Sequence, residues 1–206
     1  MSQYFQIHAV SPQKRLIQQA AVIVQAGGVI VHPTDSTYAL GCRIGDKAAM
    51  ERVCAIRRLG SGHQFTLACR DLSEIATYAA VGNPEFRLMK AHTPGPYTFI
   101  LPATREVPKR LLHPKRRTIG LRVPEHAIAQ ALLAAIGAPL LTTTLILPGD
   151  EDPLTDPEEI RARLEHQVDL VIDGGAGGSE PTTVVDLVGP EPVVVRAGKG
   201  DAAIFA

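Results

Sequence analysis

The chain has 206 residues, of which 45% are hydrophobic and 20% charged, and its 21 basic and 21 acidic side chains cancel to a formal net charge of zero. This composition is ordinary for a globular protein and excludes a disordered or fibrous chain. No apolar stretch approaches the roughly 20 residues that span a bilayer, which excludes a membrane-spanning helix. The three cysteines have neither zinc-type nor redox-motif spacing. The N-terminus does not resemble a signal peptide, so we expect a cytoplasmic protein with reduced thiols.

Helix and strand signals alternate along the chain. Ser11 followed by Pro12 predicts the start of a helix that ends at Gly27 and Gly28, and an apolar strand follows at residues 29–32. Asp46 is expected to cap the second helix. Further helices are expected to begin at Asn83, at Ala127, and at Thr155 or Asp156. The other predicted strands are residues 65–69, 97–101, 118–123, 140–145, 169–172, 183–187 and 193–196. This alternation predicts one α/β domain over residues 1–206, with a mixed sheet.

A hydroxyl-rich segment follows the first of these strands. Residues 33–41 read Pro-Thr-Asp-Ser-Thr-Tyr-Ala-Leu-Gly, and several hydroxyls stand where the chain leaves the sheet. This position is typical of ligand-binding loops. The same residues also suit a turn in which Asp35 and Ser36 satisfy their own backbone. On the sequence alone both interpretations stand.

Polar side chains inside two predicted strands suggest an anion site. Arg122 and Arg196 each lie in an otherwise apolar strand. An arginine there must reach solvent or meet an anion, because a buried unpaired charge is costly. We therefore predict that the two arginines converge on one cavity. Thr142 and Thr144 point to one face of their strand and could donate to phosphate or carboxylate, although threonine is also a common strand residue.

The charges are unevenly distributed along the neutral chain. Residues 105–122 contain seven basic side chains and one acid, whereas residues 150–169 contain eight acids and two arginines. A basic run can attract a polyanion such as RNA, but it can also be a solvated loop. The candidate RNA contacts are Lys109, Arg110, Lys115, Arg116 and Arg117.

Several established catalytic and metal-binding patterns are missing from the sequence. The glycine-rich residues 174–178 do not match a phosphate-binding P-loop, and neither a His-Glu-x-x-His pattern nor a nucleophile elbow occurs. The seven histidines are scattered without ligand spacing. We therefore expect no metal site built from protein ligands.

Six segments in order resemble the YrdC/YciO family. No single segment is specific, but together they cover nearly the whole chain. They are residues 33–41, 94–99, 120–124, 142–144, 181–186 and 196–198. Residues 63–72 and 147–149 are similar to the YciO branch in particular.

The resemblance implies a twisted mixed sheet, flanked by helices and curled around a concave basic cleft that binds nucleotides and RNA. Active synthases of the family make L-threonylcarbamoyladenylate from threonine, bicarbonate and ATP, and this product feeds the t6A modification of tRNA. The resemblance implies Mg²⁺ with ATP rather than on dedicated protein ligands. It assigns a catalytic role to Arg57. The residues that it implies for nucleotide or substrate binding are Thr34, Thr98, Arg122, Thr142, Thr144, Thr182 and Arg196.

The sequence departs from the family at two hallmarks. The Lys-x-Arg hallmark falls on Arg-Arg-Leu at residues 57–59, and the Ser-x-Asn hallmark falls on Thr-Leu-Ile at residues 144–146. Losing a positioned donor to a transition state costs about 100- to 1000-fold in rate. We therefore expect a protein that binds nucleotides (ATP or AMP) and structured or double-stranded RNA. The alternatives are a weak or altered threonylcarbamoyladenylate synthase, and a non-catalytic subunit that docks on a protein partner through its acidic helix at residues 156–165.

Overall fold

The computed structural model describes residues 1–60 and 63–205. The described strands are β1 (Gln3–Gln6), β2 (Ile30–His32), β3 (Ala39–Arg43), β4 (Thr66–Ala68), β5 (Tyr97–Pro102), β6 (Thr118–Arg122), β7 (Leu140–Thr144), β8 (Leu170–Asp173), β9 (Thr183–Asp186) and β10 (Val193–Arg196). The described α-helices are α1 (Lys14–Gln25), α2 (Lys47–Arg57), α3 (Leu72–Tyr78), α4 (Asn83–His92), α5 (Ala127–Ile136) and α6 (Pro157–Leu164). Single 3₁₀ turns occur at Lys109–Leu111 and Ala203–Phe205.

The strands form one ten-stranded sheet in the order β1-β8-β2-β3-β7-β4-β6-β5-β9-β10. Four neighbouring pairs are parallel, namely β1–β8, β2–β8, β4–β6 and β5–β9. The other five pairs are antiparallel. The predicted α/β class with a mixed sheet is therefore confirmed.

Two apolar clusters pack on the sheet, and the alternating side chains of residues 29–31, at the start of β2, separate them. Ile30 belongs to the cluster that includes the buried faces of α1 and α5, whereas Val29 and Val31 belong to the other cluster. This is the period of two expected for a strand that is buried on both faces. In a chain without tryptophan, Tyr38 and Phe99 are the largest fully buried side chains.

Helix ends follow the predicted signals at most positions. The Asp46 carboxylate accepts the backbone N–H of Ala49 at 2.9 Å and caps α2, and Asp156 caps α6. Gly137 adopts a left-handed φ of 72° directly after α5, as expected for a C-terminal glycine. No helix in the described residues is long and apolar enough to cross a membrane.

The predicted cap at Ser11 is wrong. Helix α1 begins at Lys14, and Gln13 precedes it without a side-chain capping bond. The reason lies in the preceding turn, where the imidazole Nδ1 of His8 accepts the backbone N–H of Ser11 at 3.0 Å. Ser11 is therefore part of that turn and not of the helix end.

The hydroxyl-rich segment is only partly a loop. Residues 39–41 belong to β3, which pairs with β2 on one side and with β7 on the other. The strands β1 and β3 and the helix α3 were not predicted from the sequence. The loop proper is limited to residues 33–38, and it lies between two central strands.

Candidate functional site

A cavity of about 260 Å³ lies over the central strands. Its wall includes side chains of β4, β5, β6 and β7, the loop after β2, and the segments at residues 63–65 and 181–182. All eight residues predicted to bind substrate or act in catalysis line it, namely Thr34, Arg57, Thr98, Arg122, Thr142, Thr144, Thr182 and Arg196. The structure thus brings these residues together, and their individual roles stay predictions.

Arg122 and Arg196 share this cavity, as the sequence predicts. Arg122 is only 8% exposed, and it pairs with the carboxylate of Asp35 and donates to the Ser36 hydroxyl at 3.2 Å. Its charge is therefore already compensated within the chain. Its Nε atom is buried without a hydrogen-bond partner in the described part of the chain. Because the negative charge of Asp35 offsets that of Arg122, the presence of this arginine does not make the cleft basic. The basic character of the cleft therefore stays a prediction.

Arg57 and Arg196 supply the other two guanidinium groups. Arg57 is half-buried and Arg196 is more exposed, and partial desolvation of each guanidinium lowers its pKa. Arg57 is the last residue of α2, where Arg58 ends the helix in the left-handed conformation with a φ of 50°. The Nε atom of Arg57 is buried and has no hydrogen-bond partner among residues 1–60 and 63–205. Arg196 is more engaged, because its Nη2 donates to the carbonyl of Thr182 at 2.8 Å.

Threonine hydroxyls form the polar part of the wall. The hydroxyls of Thr98 on β5 and Thr182 before β9 lie 2.9 Å apart. One of these hydroxyls donates its hydrogen to the other. The hydroxyl that accepts this bond still has its own hydrogen to donate to a ligand or to solvent. Thr142 donates to the carbonyl of Thr66 at 3.1 Å and is thereby held in place on β7.

Thr34 supports the loop after β2. Its hydroxyl donates to the carbonyl of Thr37 at 2.6 Å and accepts the backbone N–H groups of Ser36 and Thr37, both at 3.2 Å. The predicted turn is present, but Thr34 satisfies its backbone in place of Asp35 and Ser36, whose side chains contact Arg122. The same loop also lines the cavity, so the two interpretations are compatible.

Two histidines of the wall were not predicted as site residues. His32 is 1% exposed, and burial lowers its pKa to about 4. His63 places its Nε2 atom 3.2 Å from the hydroxyl of Thr143 and its ring edge-on to Phe65, with ring centroids 5.0 Å apart. His32 directly precedes the hydroxyl-rich segment at residues 33–41, and His63 is the first residue of the YciO-like segment at residues 63–72. These positions were the available signal.

The two departures from the family hallmarks lie in different surroundings. Ile146 lines the cavity, so its apolar side chain faces the predicted ligand. Leu59 is not among the cavity residues and packs against the hydrophobic core. A cation at position 59 would therefore have to leave that apolar contact.

The basic segment lies away from the cavity. It connects β5 to β6 beyond the pair Pro102 and Thr118, whereas Thr98 and Arg122 lie at the other end of the same two strands. None of its five candidate RNA contacts lines the cavity. Any polyanion bound by this segment would therefore occupy a second surface.

The five basic side chains of this segment are not equally free. All five are exposed, but Lys109, Lys115 and Arg117 form no side-chain ion pair within the described part of the chain. Arg110 donates to the carbonyl of Gly45, and Arg116 forms a 2.5 Å ion pair with Asp186. Two of the five thus hold the segment against the rest of the fold.

Comparison with known proteins identifies the class. Residues 22–198 match the model of the Sua5/YciO/YrdC family, whose description is telomere recombination. The chain belongs to this family, and the resemblance predicted from the sequence is confirmed.

Individual members of the family and solved structures are similar to this chain to different degrees. The chain is 63% identical to an uncharacterised protein of Escherichia coli K12, YciO, over the full length of both. The crystal structure of E. coli YciO superposes with a TM-score of 0.97 over 100% of both chains. At the level of fold alone, the chain matches Pyrococcus abyssi Sua5 complexed with L-threonine (TM-score 0.87, 23% identity, 95% of this chain and 57% of that one). It also matches full-length HypF in a phosphate- and nucleotide-bound form (TM-score 0.75, 18% identity, 90% of this chain and 29% of that one).

Proposed function

We propose that the cavity binds an adenine nucleotide, ATP or AMP, through its phosphate groups. The observation that carries this proposal is the convergence of Arg57, Arg122 and Arg196 on one cavity with the hydroxyl pair of Thr98 and Thr182. Guanidinium groups present planar donors that match phosphate oxygens, and charge-assisted bonds of this kind are the stronger ones.

The donors differ in what they can offer a phosphate. Arg57 forms no ion pair in the described part of the chain, so its guanidinium is better able than that of Arg122 to gain a bond to a ligand. Arg122 is held by Asp35, so we expect it to contribute less to binding a phosphate. We expect Mg²⁺ to arrive with the ATP phosphates, because Mg²⁺ in such sites is bound through substrate phosphates and water more than by a protein cage.

Two relatives support the proposal by analogy. Sua5 of P. abyssi was solved with L-threonine and HypF with phosphate and nucleotide, and both share this fold. In the resemblance drawn from the sequence, nucleotide binding is linked to tRNA modification. We therefore propose a role in nucleotide and RNA binding, in which the exposed Lys109, Lys115 and Arg117 contact the RNA backbone outside the cavity. Both ligands agree with the cytoplasmic location that we expect from the sequence.

A weak or altered threonylcarbamoyladenylate synthase is the second candidate function. Arg57 keeps one cation of the hallmark inside the cavity, which favours some stabilisation of a phosphate transition state. Ile146 counts against efficient synthesis, because it places an apolar group where the family has an amide.

Calorimetric titration with ATP and AMP tests the binding proposal. Arg57→Ala should weaken ATP binding by about 10- to 100-fold, because a hydrogen bond to a charged group contributes roughly 1.5–3 kcal/mol. The matched control is Arg87→Ala on the exposed side of α4, outside the cavity, and it should bind as the wild type does. Equal loss in both variants, or no binding by the wild type, would contradict the proposal. Pyrophosphate release with threonine, bicarbonate and ATP then separates a synthase from a binding protein.

A further inference from the structure

The segment that begins at His63 has no role in the proposed function so far. The ring of His63 lies on the cavity wall, between Thr143 of β7 and the ring of Phe65. Arg57 lines the same cavity from the end of α2. An imidazole and a guanidinium with a buried, unpartnered Nε therefore share one wall.

We propose that His63 is a ligand-contacting residue of the cavity, which acts with Arg57 to select a phosphate group and takes up a proton when the phosphate binds. This inference rests on the proposed function and adds a residue to it. Neither hallmark of the family includes this position.

The contact with Thr143 suits a histidine that changes its charge. The hydroxyl lies 3.2 Å from Nε2 of His63, and a hydroxyl can either donate or accept. When neutral His63 carries its hydrogen on Nδ1, Thr143 donates to Nε2. When His63 is protonated, Nε2 donates to Thr143. The hydrogen bond and the ring position are therefore kept in both states, whereas a fixed donor such as a backbone N–H would oppose protonation.

The surroundings of His63 determine the direction of the proton linkage. Burial lowers the pKa of His63 below its ordinary value, and the positive charge of Arg57 lowers it further. Arg57 on α2 is the charged group that acts on His63, while β7 contributes the uncharged hydroxyl of Thr143 and the segment itself contributes Phe65. A phosphate beside Arg57 offsets that charge and adds negative charge, which raises the pKa of His63. Binding should then take up a proton, and affinity should rise as the pH falls, by at most about tenfold per pH unit.

The test is calorimetry near neutral pH in two buffers that differ in ionisation enthalpy, with ATP and with inorganic triphosphate as probes. The wild type should take up part of a proton, up to about one, for each ligand bound. The terminal phosphate of the ligand also titrates near pH 6, so the quantity to compare is the difference between variants. His63→Gln should lose most of the uptake and lose several-fold in affinity at the acid end. His166→Gln, exposed and outside the cavity, should match the wild type.

Histidine NMR of the wild type gives a second measurement that does not depend on a folded variant. Adding inorganic triphosphate should raise the pKa of one imidazole and leave that of an exposed histidine unchanged. Binding without proton uptake, or equal uptake by His63→Gln, would overturn the inference about His63 and leave nucleotide binding intact. Absence of ATP binding by the wild type would overturn both.

Discussion

Arg122 of β6 and Asp35 of the loop after β2 form an ion pair in which both side chains are 9% exposed. This pair joins the loop to the central sheet at the cavity. Because Arg122 also donates to the Ser36 hydroxyl, two neighbouring residues of the loop depend on one guanidinium.

Removal of one partner of this pair should strongly destabilise the fold. Arg122→Ala leaves the Asp35 carboxylate buried and unpaired, which typically costs about 3–5 kcal/mol in the free energy of unfolding. Urea denaturation measures the loss. Arg70→Ala is the matched control, because the Arg70–Asp71 pair is roughly half exposed (48% and 46%), and such pairs contribute about 0–1 kcal/mol. Equal costs for the two variants would show that the Arg122 pair does not hold the loop.

The stability of the fold should fall in mild acid because of His32. Burial lowers its pKa from 6.5 to about 4, so between these pH values the unfolded chain binds a proton that the folded chain does not. The contribution of neutral His32 to the free energy of unfolding is therefore fully present above pH 6.5. It is lost as the pH falls towards 4, by about 3 kcal/mol in all. The pKa values of His63 and His126, also lowered by burial, add losses in the same direction.

Urea denaturation at several pH values checks this dependence with His32→Asn. The asparagine amide can replace Nδ1 as donor to the carbonyl of Pro33, 3.1 Å away from Nδ1, but it does not titrate. The variant should lose less stability between pH 7 and pH 4.5 than the wild type does. His166→Gln should keep the wild-type slope. If His32→Asn keeps it too, the imidazole of His32 is not the source of the acid sensitivity.

RNA binding by the basic segment should depend steeply on salt. Lys115 and Arg117 are exposed, whereas Arg116 is paired with Asp186. Lys115→Ala with Arg117→Ala should flatten the log–log slope of affinity against salt by about 1.4 to 1.8, at roughly 0.7 to 0.9 for each lost phosphate contact. Filter binding of tRNA or duplex RNA over a salt series measures the slope.

The control for this double variant is Lys14→Ala with Arg87→Ala, which removes two exposed charges elsewhere. ATP affinity should stay unchanged in both double variants, since none of these four residues lines the cavity. If the salt dependence of RNA affinity is unchanged in Lys115→Ala with Arg117→Ala, the segment is a solvated loop that does not contact RNA.

Restoring polar hallmark groups in the cavity should raise pyrophosphate release. Arg57→Lys with Ile146→Asn places the lysine of the first hallmark and the asparagine of the second hallmark on the cavity wall. The gain should be on the order of 100-fold if the amide acts on the transition state. A new buried amide without partners costs about 1–3 kcal/mol, so thermal stability must be measured beside turnover with threonine, bicarbonate and ATP.

Leu59→Arg provides a contrast to those two changes. Leu59 packs against the core and does not line the cavity, so this substitution alone should lower stability without raising turnover. A folded Arg57→Lys, Ile146→Asn variant that binds ATP and shows no gain would mean that the departures from the hallmarks are not what limits synthesis.

Local rules predicted many elements of this fold. Asp46 and Gly137 delimit helices by short-range chemistry that is visible in the sequence. The convergence of Arg122 and Arg196 could also be predicted, because each is a charge in an apolar strand that needs an anion or solvent.

Contacts between residues that are distant in sequence could not be predicted in this way. The partner of Arg122 is Asp35, 87 residues earlier, and the partner of His63 is Thr143, 80 residues later. Both pairs depend on the strand order, which places β7 between β3 and β4. Strand β3 was missed for a related reason, since a polar turn precedes it and its pairing comes from β2 and β7 rather than from local propensity.

A crystal structure of the protein with ATP and Mg²⁺ tests the central claim most directly. We expect electron density for the triphosphate inside the cavity, within hydrogen-bond distance of Arg57 and of the Thr98–Thr182 hydroxyl pair. We also expect the basic segment to stay free of nucleotide. A triphosphate bound at Lys115 and Arg117, with the cavity containing only solvent, would show that the cavity is not the nucleotide site.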